Sequence, residues 1–251
     1  GFTVALKERF DVEAFEYALA EQPITLISLV PTMLKRLMDA DVMWPAALRA
    51  VLLGGAAAPA SLLTEALTRN IPIATTYGLT EAASQVATQT PDATQRKPAS
   101  VGKPLLFAKA RIVDEQGNTL PANAIGEVVV RGPAVMIGYF RNVPATSRAL
   151  RNGELFTGDL GYLDNDGDLF LVQRRSDLIV TGGENVYPSE VEAALRQIDA
   201  IEEALVVGVP DEEWGQRVAA LVVIRQGAAL SAAEGRQALE GHIAGYRMPR
   251  P

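Results

Sequence analysis

The stretch from Thr75 to Ser84 gathers an aromatic ring (Tyr77), a glycine (Gly78), hydroxyls (Thr75, Thr76, Thr80 and Ser84) and one carboxylate (Glu81). An aromatic face can stack on a nucleobase, and a glycine lets backbone approach a ligand closely. A hydroxyl can hydrogen-bond a phosphate oxygen, and a carboxylate oxygen suits Mg²⁺. These are the parts of a nucleotide–metal site, and equally of an ordinary Tyr-Gly loop after a strand. The apolar run Ile71 to Ala74 just before them reads as that strand.

Counting excludes several other chemistries. There is no cysteine, so disulfides, thiolate metal sites and a protein-bound thioester are out. A reducing compartment fits, and a cytoplasmic protein is expected. The one histidine, His242, lies near the C-terminal end, which leaves Ser-His-Asp and Cys-His mechanisms without a base. A net charge of −7 argues against nucleic acid and anionic membrane surfaces. No apolar run approaches the roughly 20 residues of a membrane span, and Gly1-Phe2-Thr3 opens no signal peptide. At 251 residues and 48% hydrophobic, the chain can bury one or two cores.

The first hundred residues alternate helix and strand. Asp11 caps a helix with Val12, Phe15 and Leu19 on one face. Ile24 to Val30 reads as a strand buried on both faces. Pro31 opens a helix that turns Met33, Leu34, Leu37 and Met38 inward. Ala50 to Leu53 is a strand ending at Gly54-Gly55, and Pro59 starts a helix with Leu62, Leu63, Ala66 and Leu67 inward. This βαβ pattern predicts a parallel sheet, whose ligands sit beyond the carboxyl ends of its strands.

After Pro91 a polar stretch, Asp92 to Ser100, leads into short strands at Lys109 to Val113, Gly126 to Arg131 and Asp168 to Val172. Turn signals separate them. Asp164-Asn165-Asp166-Gly167-Asp168 has a calcium-loop look but lacks the distal glutamate, so an Asp-Gly hairpin turn is the favoured reading. From Asp177 a small α+β unit follows. Its strands are Leu178 to Val180, Ala204 to Val209 and Val218 to Ile224. Its helices start at Tyr187-Pro188 and span Ser231 to Ile243, with Ser231 and Glu234 as a capping box. The expected fold is α/β, a parallel-sheet βαβ portion plus a small β-barrel-like subdomain, followed by a small α+β domain. The expected bounds are 1–100, 101–174 and 175–251.

In order along the chain stand Gly54-Gly55-Ala56, Tyr77-Gly78-Leu79-Thr80-Glu81, Val101-Gly102-Lys103-Pro104, Gly126-Glu127-Val128 with Gly138-Tyr139, Thr157-Gly158-Asp159-Leu160, Arg175-Ser176-Asp177, and Gly182-Gly183-Glu184-Asn185-Val186-Tyr187-Pro188-Ser189-Glu190. Each motif is short, but the series in this order is specific. It resembles the adenylate-forming superfamily of acyl-CoA synthetases, nonribosomal adenylation domains and luciferases, over essentially the whole chain. The last motif resembles the acyl-CoA synthetase branch. Thr80 to Thr88, with Arg174 to Asp177, is similar to the o-succinylbenzoate–CoA ligases of menaquinone synthesis.

The resemblance implies a two-step ligase that uses ATP, Mg²⁺ and coenzyme A. A carboxylate attacks the α-phosphorus of ATP to give an acyl-adenylate and pyrophosphate. The coenzyme A thiol then takes the acyl group, and AMP leaves. By family position, Glu81 binds Mg²⁺ and Thr80 bonds the α-phosphate. Tyr77 lies along the adenine, with the backbone of Gly55, Ala56, Thr76 and Gly78 lining the nucleotide pocket. Asp159 accepts from the ribose hydroxyls, and Arg175 reaches ribose or phosphates. Asp177 is the hinge of a mobile small domain, Gly182 and Gly183 line the pantetheine tunnel, and Ser84, Gln85 and Gly102 face the acyl pocket. Another acyl- or aryl-CoA ligase or a carrier-protein-loading enzyme stays open, as does a homo-oligomer. The family's Ser/Thr/Gly-rich phosphate loop has no match in residues 1–76, and its C-terminal catalytic lysine has none either. The expectation is therefore a fragment, nucleotide-binding but catalytically incomplete alone.

Overall fold

The computed structural model describes residues 3–6, 9–174, 177–182, 184–211 and 214–250. It divides into two compact units, one made of Gly1–Thr157 with Tyr162–Leu171, the other of Gly158–Gly161 with Val172–Pro251. The fold is mixed α/β, with a long sheet in which three strands run parallel and a second, four-stranded sheet.

Local sequence builds the βαβ portion. Asp11 accepts from the Ala14 N–H at 2.9 Å and starts α1 (Val12–Glu21). β1 (Leu26–Leu29) pairs in parallel with β2 (Ala50–Leu53), and β2 with β3 (Ile73–Leu79). Pro31 sits at the first position of α2 (Pro31–Asp39), where its missing N–H costs nothing. α3 (Ala60–Thr68) follows Pro59. Leu34, Leu37 and Met38 from α2 and Leu62, Leu63 and Ala66 from α3 pack with Val51, Leu53 and Ile73 in one core. β1 departs from the expectation of two buried faces. It pairs on one side, with β2, and Leu26 is 56% exposed. The strand itself is shorter than the apolar run Ile24 to Val30, four residues, and it lies at the end of the strand order.

From β3 onward the pairs β3–β4, β4–β5, β5–β10 and β6–β7 are antiparallel. β3 turns back into β4 (Ser84–Thr88), β4 pairs with β5 (Ser100–Pro104), and the order continues through β10 (Leu169–Arg174), β9 (Glu154–Leu163), β7 (Gly126–Arg131) and β6 (Lys109–Val113). β8 (Leu150–Arg151) pairs with β9. Two short helices interrupt, α4 (Pro91–Arg96) and α5 (Val143–Ala149). α4 occupies the stretch read as merely polar. Thr90 caps it and Thr94 is its one buried residue, so no apolar periodicity announces it.

In the second unit the sheet order is β12 (Glu184–Val186), β11 (Ile179–Thr181), β14 (Gly215–Ile224), β13 (Ile201–Asp211). α6 (Pro188–Leu195) and α7 (Ala232–Leu239) close its core, with Val191, Leu195 and Leu239 against Ile179, Ile201, Val206 and Val218. Ser231 and Glu234 form the reciprocal capping box, at 2.8 and 3.3 Å. α7 ends at Leu239, short of Ile243, because the chain turns at Glu240-Gly241, where Gly241 has φ +81°. Among the described residues no helix is long and apolar enough to cross a membrane.

Candidate functional site

The stretch from Thr75 to Leu79 is strand, not a loop after one, since β3 runs through Tyr77-Gly78. The physical cause is the return strand. Gly78 stands opposite Gln85, and a Cβ at 78 would lie 1.7 Å from the Ser84 carbonyl oxygen. Only glycine allows that approach, so the hairpin closes where a side chain would have forced a loop. A single 3₁₀ turn, Thr80–Ala82, connects the strands. Ala83 and Ser84 complete it with φ of +47° and +89°, a left-handed conformation that L residues seldom adopt.

Buried polar groups hold the hairpin's base. Gln89 Nε2 donates to the Ser100 carbonyl at 2.6 Å, to the Lys97 carbonyl at 2.9 Å and to Thr75 Oγ1 at 3.3 Å. Thr75 Oγ1 donates to the Ser100 carbonyl at 2.8 Å. Ser100 Oγ donates to the Leu169 carbonyl at 3.0 Å and accepts from the Gly102 N–H at 2.9 Å. This network joins β3, β4, α4, β5 and β10 around groups that would be costly to bury unpaired.

Glu81 is partly exposed on the 3₁₀ turn and is held twice from the segment before α5. Its carbonyl accepts from the Met136 N–H at 2.7 Å, and Oε1 accepts from the Tyr139 hydroxyl at 2.8 Å. The carboxylate bond, with partial burial, holds the Tyr139 phenol above its ordinary value. Oε2 has no partner among the described residues. Tyr139, which sequence reasoning left without a role, is thus joined to the candidate Glu81. The contact spans 58 positions, and no local pattern signals it.

The other candidates fall into place unevenly. Gly54 and Gly55 leave the end of β2 beside β3, and a Cβ at 54 would lie 2.4 Å from Thr76 Cγ2. Ala56 is exposed in the loop that follows. The Thr76 hydroxyl is engaged within the hairpin, 2.9 Å from both the Ala87 carbonyl and Thr88 Oγ1, so Thr76 can offer a ligand its backbone more readily than its hydroxyl. Tyr77 is 6% exposed and packs with Val86, Val128 and Leu155, a core ring first and a stacking face only at its rim. Thr80 is exposed beside Glu81. Ser84 and Gln85 begin β4, and Gly102 lies beneath Thr88, where a Cβ would meet the Thr88 carbonyl oxygen at 2.6 Å.

In the second unit, Asp159 lies on β9 after Gly158, whose φ is +73°. Asp177 is exposed just before β11. Gly182 donates its N–H to the Trp214 carbonyl at 2.9 Å, and a Cβ there would come within 2.6 Å of the indole ring. The Arg250 guanidinium lies 4.4 Å from the centre of that ring. Arg175 and Gly183 lie outside the described residues. A cavity of about 430 Å³, lined by Leu195, Ile201, Val222 and Leu230, belongs to the core side of the second unit and includes none of the candidate residues.

Residues 1–140 match the model of the AMP-binding enzyme family, and residues 190–251 match that of the AMP-binding enzyme C-terminal domain. The 2-succinylbenzoate–CoA ligase of Oceanobacillus iheyensis is 41% identical over all of this chain and 52% of its own length. That of Geobacillus kaustophilus is 42% identical over 99% of this chain and 51% of its length. The chain thus spans about half the length of the curated relatives it matches. Among solved structures, the Bacillus subtilis o-succinylbenzoate CoA synthetase in complex with ATP and magnesium superposes with a TM-score of 0.85 and 39% identity, over 97% of this chain and 50% of that one. An amide bond synthetase from Marinactinospora thermotolerans gives 0.86 and 35%, over 97% and 50%.

Proposed function

The chain belongs to the AMP-binding enzyme family, and from that membership we propose that it serves an AMP-forming acid–CoA ligase acting on o-succinylbenzoate. One observation carries the reading. The strand–3₁₀–strand hairpin presents Thr80 and the Glu81 carboxylate together at the carboxyl end of β3, where a mononucleotide's phosphates bind in such sheets. The o-succinylbenzoate assignment is supported by relatives at 41–42% identity across the chain.

Glu81 fits a magnesium ion on the chemistry of its donor atoms. Mg²⁺ takes oxygen ligands, keeps several waters, and needs one or two carboxylates plus substrate phosphates. One carboxylate, with no partner on Oε2 among the described residues, beside a hydroxyl supplies that. A bound Mg²⁺ would neutralise charge on the phosphates of ATP. The chain's own residues orient the reactants. Thr80 donates to the α-phosphate, and the backbone of Gly55, Ala56, Thr76 and Gly78 lines the nucleotide beside the Tyr77 ring. Asp159 accepts from the ribose. By family position Arg175 would serve ribose or phosphate with its fork of donors. By the same resemblance Asp177 is the pivot between the two half-reactions, and Gly182 and Gly183 would serve the pantetheine arm. Ser84, Gln85 and Gly102 lie by the acyl group. Catalysis of this kind is positioning and charge stabilisation.

The test, on a full-length version of the protein, is pyrophosphate release from ATP across a panel of acids, followed by coenzyme A consumption. Preference for o-succinylbenzoate over benzoate and octanoate is expected, and preference for octanoate would sink the substrate assignment. Glu81→Gln should cut Mg²⁺-dependent adenylation by about a hundredfold or more, as loss of a metal ligand worth several kcal/mol requires. It should spare thioester formation from supplied acyl-adenylate. Equal loss of both half-reactions argues against the role of Glu81.

A further inference from the structure

The Tyr139 side chain makes one hydrogen bond among the described residues, to Glu81. Tyr139 is 38% exposed, and its neighbours Ile137 and Phe140 are exposed as well, so burial does not hold this segment. Hydrogen bonds do. The Tyr139 N–H donates to Thr146 Oγ1 at 2.9 Å, and that hydroxyl donates to the Asn142 carbonyl at 2.9 Å. Asn142 Oδ1 caps α5 by accepting from the Ala145 N–H at 3.1 Å. Gly138, with φ +149°, fits against Thr146, where a Cβ would come within 2.9 Å of Cγ2. The tyrosine backbone is thus fastened to the start of α5, and its hydroxyl reaches the Glu81 carboxylate.

We propose that Tyr139 is a positioning residue for the divalent cation. Its hydroxyl occupies Oε1 of Glu81, fixes the carboxylate rotamer, and leaves Oε2 as a monodentate ligand. The Met136 N–H, bonded to the Glu81 carbonyl, fixes the backbone of the same residue from the same segment. Glu81 is therefore set in both main chain and side chain by one ordered loop, as outer partners set metal-binding carboxylates in general. The inference rests on the reading of Glu81 as a cation ligand.

The test is Mn²⁺ binding in the presence of the unreactive analogue α,β-methylene-ATP, followed by electron paramagnetic resonance. This reads the metal site without turnover. Tyr139→Phe should weaken Mn²⁺ binding about tenfold, the usual cost of losing an outer partner. Glu81→Gln should weaken it at least as much, and the double variant no further than Glu81→Gln. 3-Fluorotyrosine at position 139 keeps the donor and should retain wild-type affinity. If it retains affinity whereas Phe does not, the hydroxyl and not the ring is responsible. If Glu81→Gln weakens binding and Tyr139→Phe does not, the role of Tyr139 falls while that of Glu81 stands. If the double variant loses more than Glu81→Gln alone, Tyr139 acts apart from Glu81 and the inference is overturned. If Glu81→Gln changes nothing, both fall. Should Tyr139→Phe fail to fold, loss of affinity in the correctly folded fluorotyrosine protein would overturn the inference.

Discussion

Lys97 places its ammonium 2.6 Å from Asp164, 2.7 Å from Asp166 and 2.6 Å from Asp168, in the turn between β9 and β10. Lys97 neutralises this acidic turn, and the expected hairpin turn at Asp164 to Asp168 is present, with the Asp164 N–H donating to the Asp168 carbonyl. Hydrogen bonds to Asp164, Asp166 and Asp168 hold the amine far above its ordinary range. Burial pushes the Asp164 carboxyl up, but Lys97 and the N–H groups of Asp168 and Asp166 outweigh it and hold it below its ordinary value. The raised lysine stabilises the fold fully below its unfolded value and loses that contribution as pH rises through the folded one. The depressed carboxyl stabilises above its unfolded value and loses that contribution as pH falls through the folded one. The tie is therefore whole between roughly pH 5 and pH 10, given the unperturbed values of the two groups. Lys97→Met should lower the melting temperature at pH 7, where it leaves the carboxylates without their counter-charge. The gap from wild type should close as acid titrates them, and calorimetry across pH 2–8 would measure it. A gap that stays constant with pH would show that Lys97 acts by packing alone. The acidic turn was visible in the sequence, but its partner lies 67 positions before Asp164, out of reach of any local pattern.

At the scale of elements, Gln89 ties the base of the β3–β4 hairpin to the chain at Lys97 and Ser100. Gln89→Leu would take the amide donor from the Lys97 carbonyl and leave the Ser100 carbonyl with Thr75 Oγ1 alone. The cost should be about 2 kcal/mol, that of an unsatisfied buried polar group, read from urea unfolding. A loss under about 0.5 kcal/mol would mean that water replaces the amide. Element boundaries were legible where apolar runs are bounded by glycine or proline, as at Ala50 to Leu53, Gly126 to Arg131 and Pro188 to Leu195. They were not legible where pairing overrides local signals. Gly78 reads as a turn residue, yet it pairs within the ladder, just past a register shift at Tyr77, because its partner strand needs the space. β9 runs ten residues through Gly158-Asp159, which by themselves look like a break. Tyr77 likewise reads as a stacking platform, and the structure places most of its ring in the core.

At the scale of the whole molecule, the two units have cores with no residue in common. Ile201, 1% exposed, packs with Ile179, Val191 and Leu195 in the second. Ile201→Ala should cost that core about 3 kcal/mol, the transfer and cavity cost of a buried branched side chain. Hydrogen exchange should speed in β13 and β14 and stay unchanged in β1 to β3. Uniform acceleration across both sheets would show a single cooperative unit. The alternation of helix and strand and the later α+β texture made this composite architecture readable in the sequence. What holds Glu81 was not readable, because it depends on a loop that folding brings from 58 positions away.

The contact of Trp214 with Gly182 has a practical consequence. The chain holds two tryptophans. Trp44 lies against the apolar core of the first unit, and Trp214 lies in the second, with a glycine at one ring edge and a guanidinium over its centre. Each unit therefore carries its own intrinsic fluorophore. The emission of Trp214 reports on the environment of the glycine turn between β11 and β12, with no dye attached and with Trp44 as an internal standard.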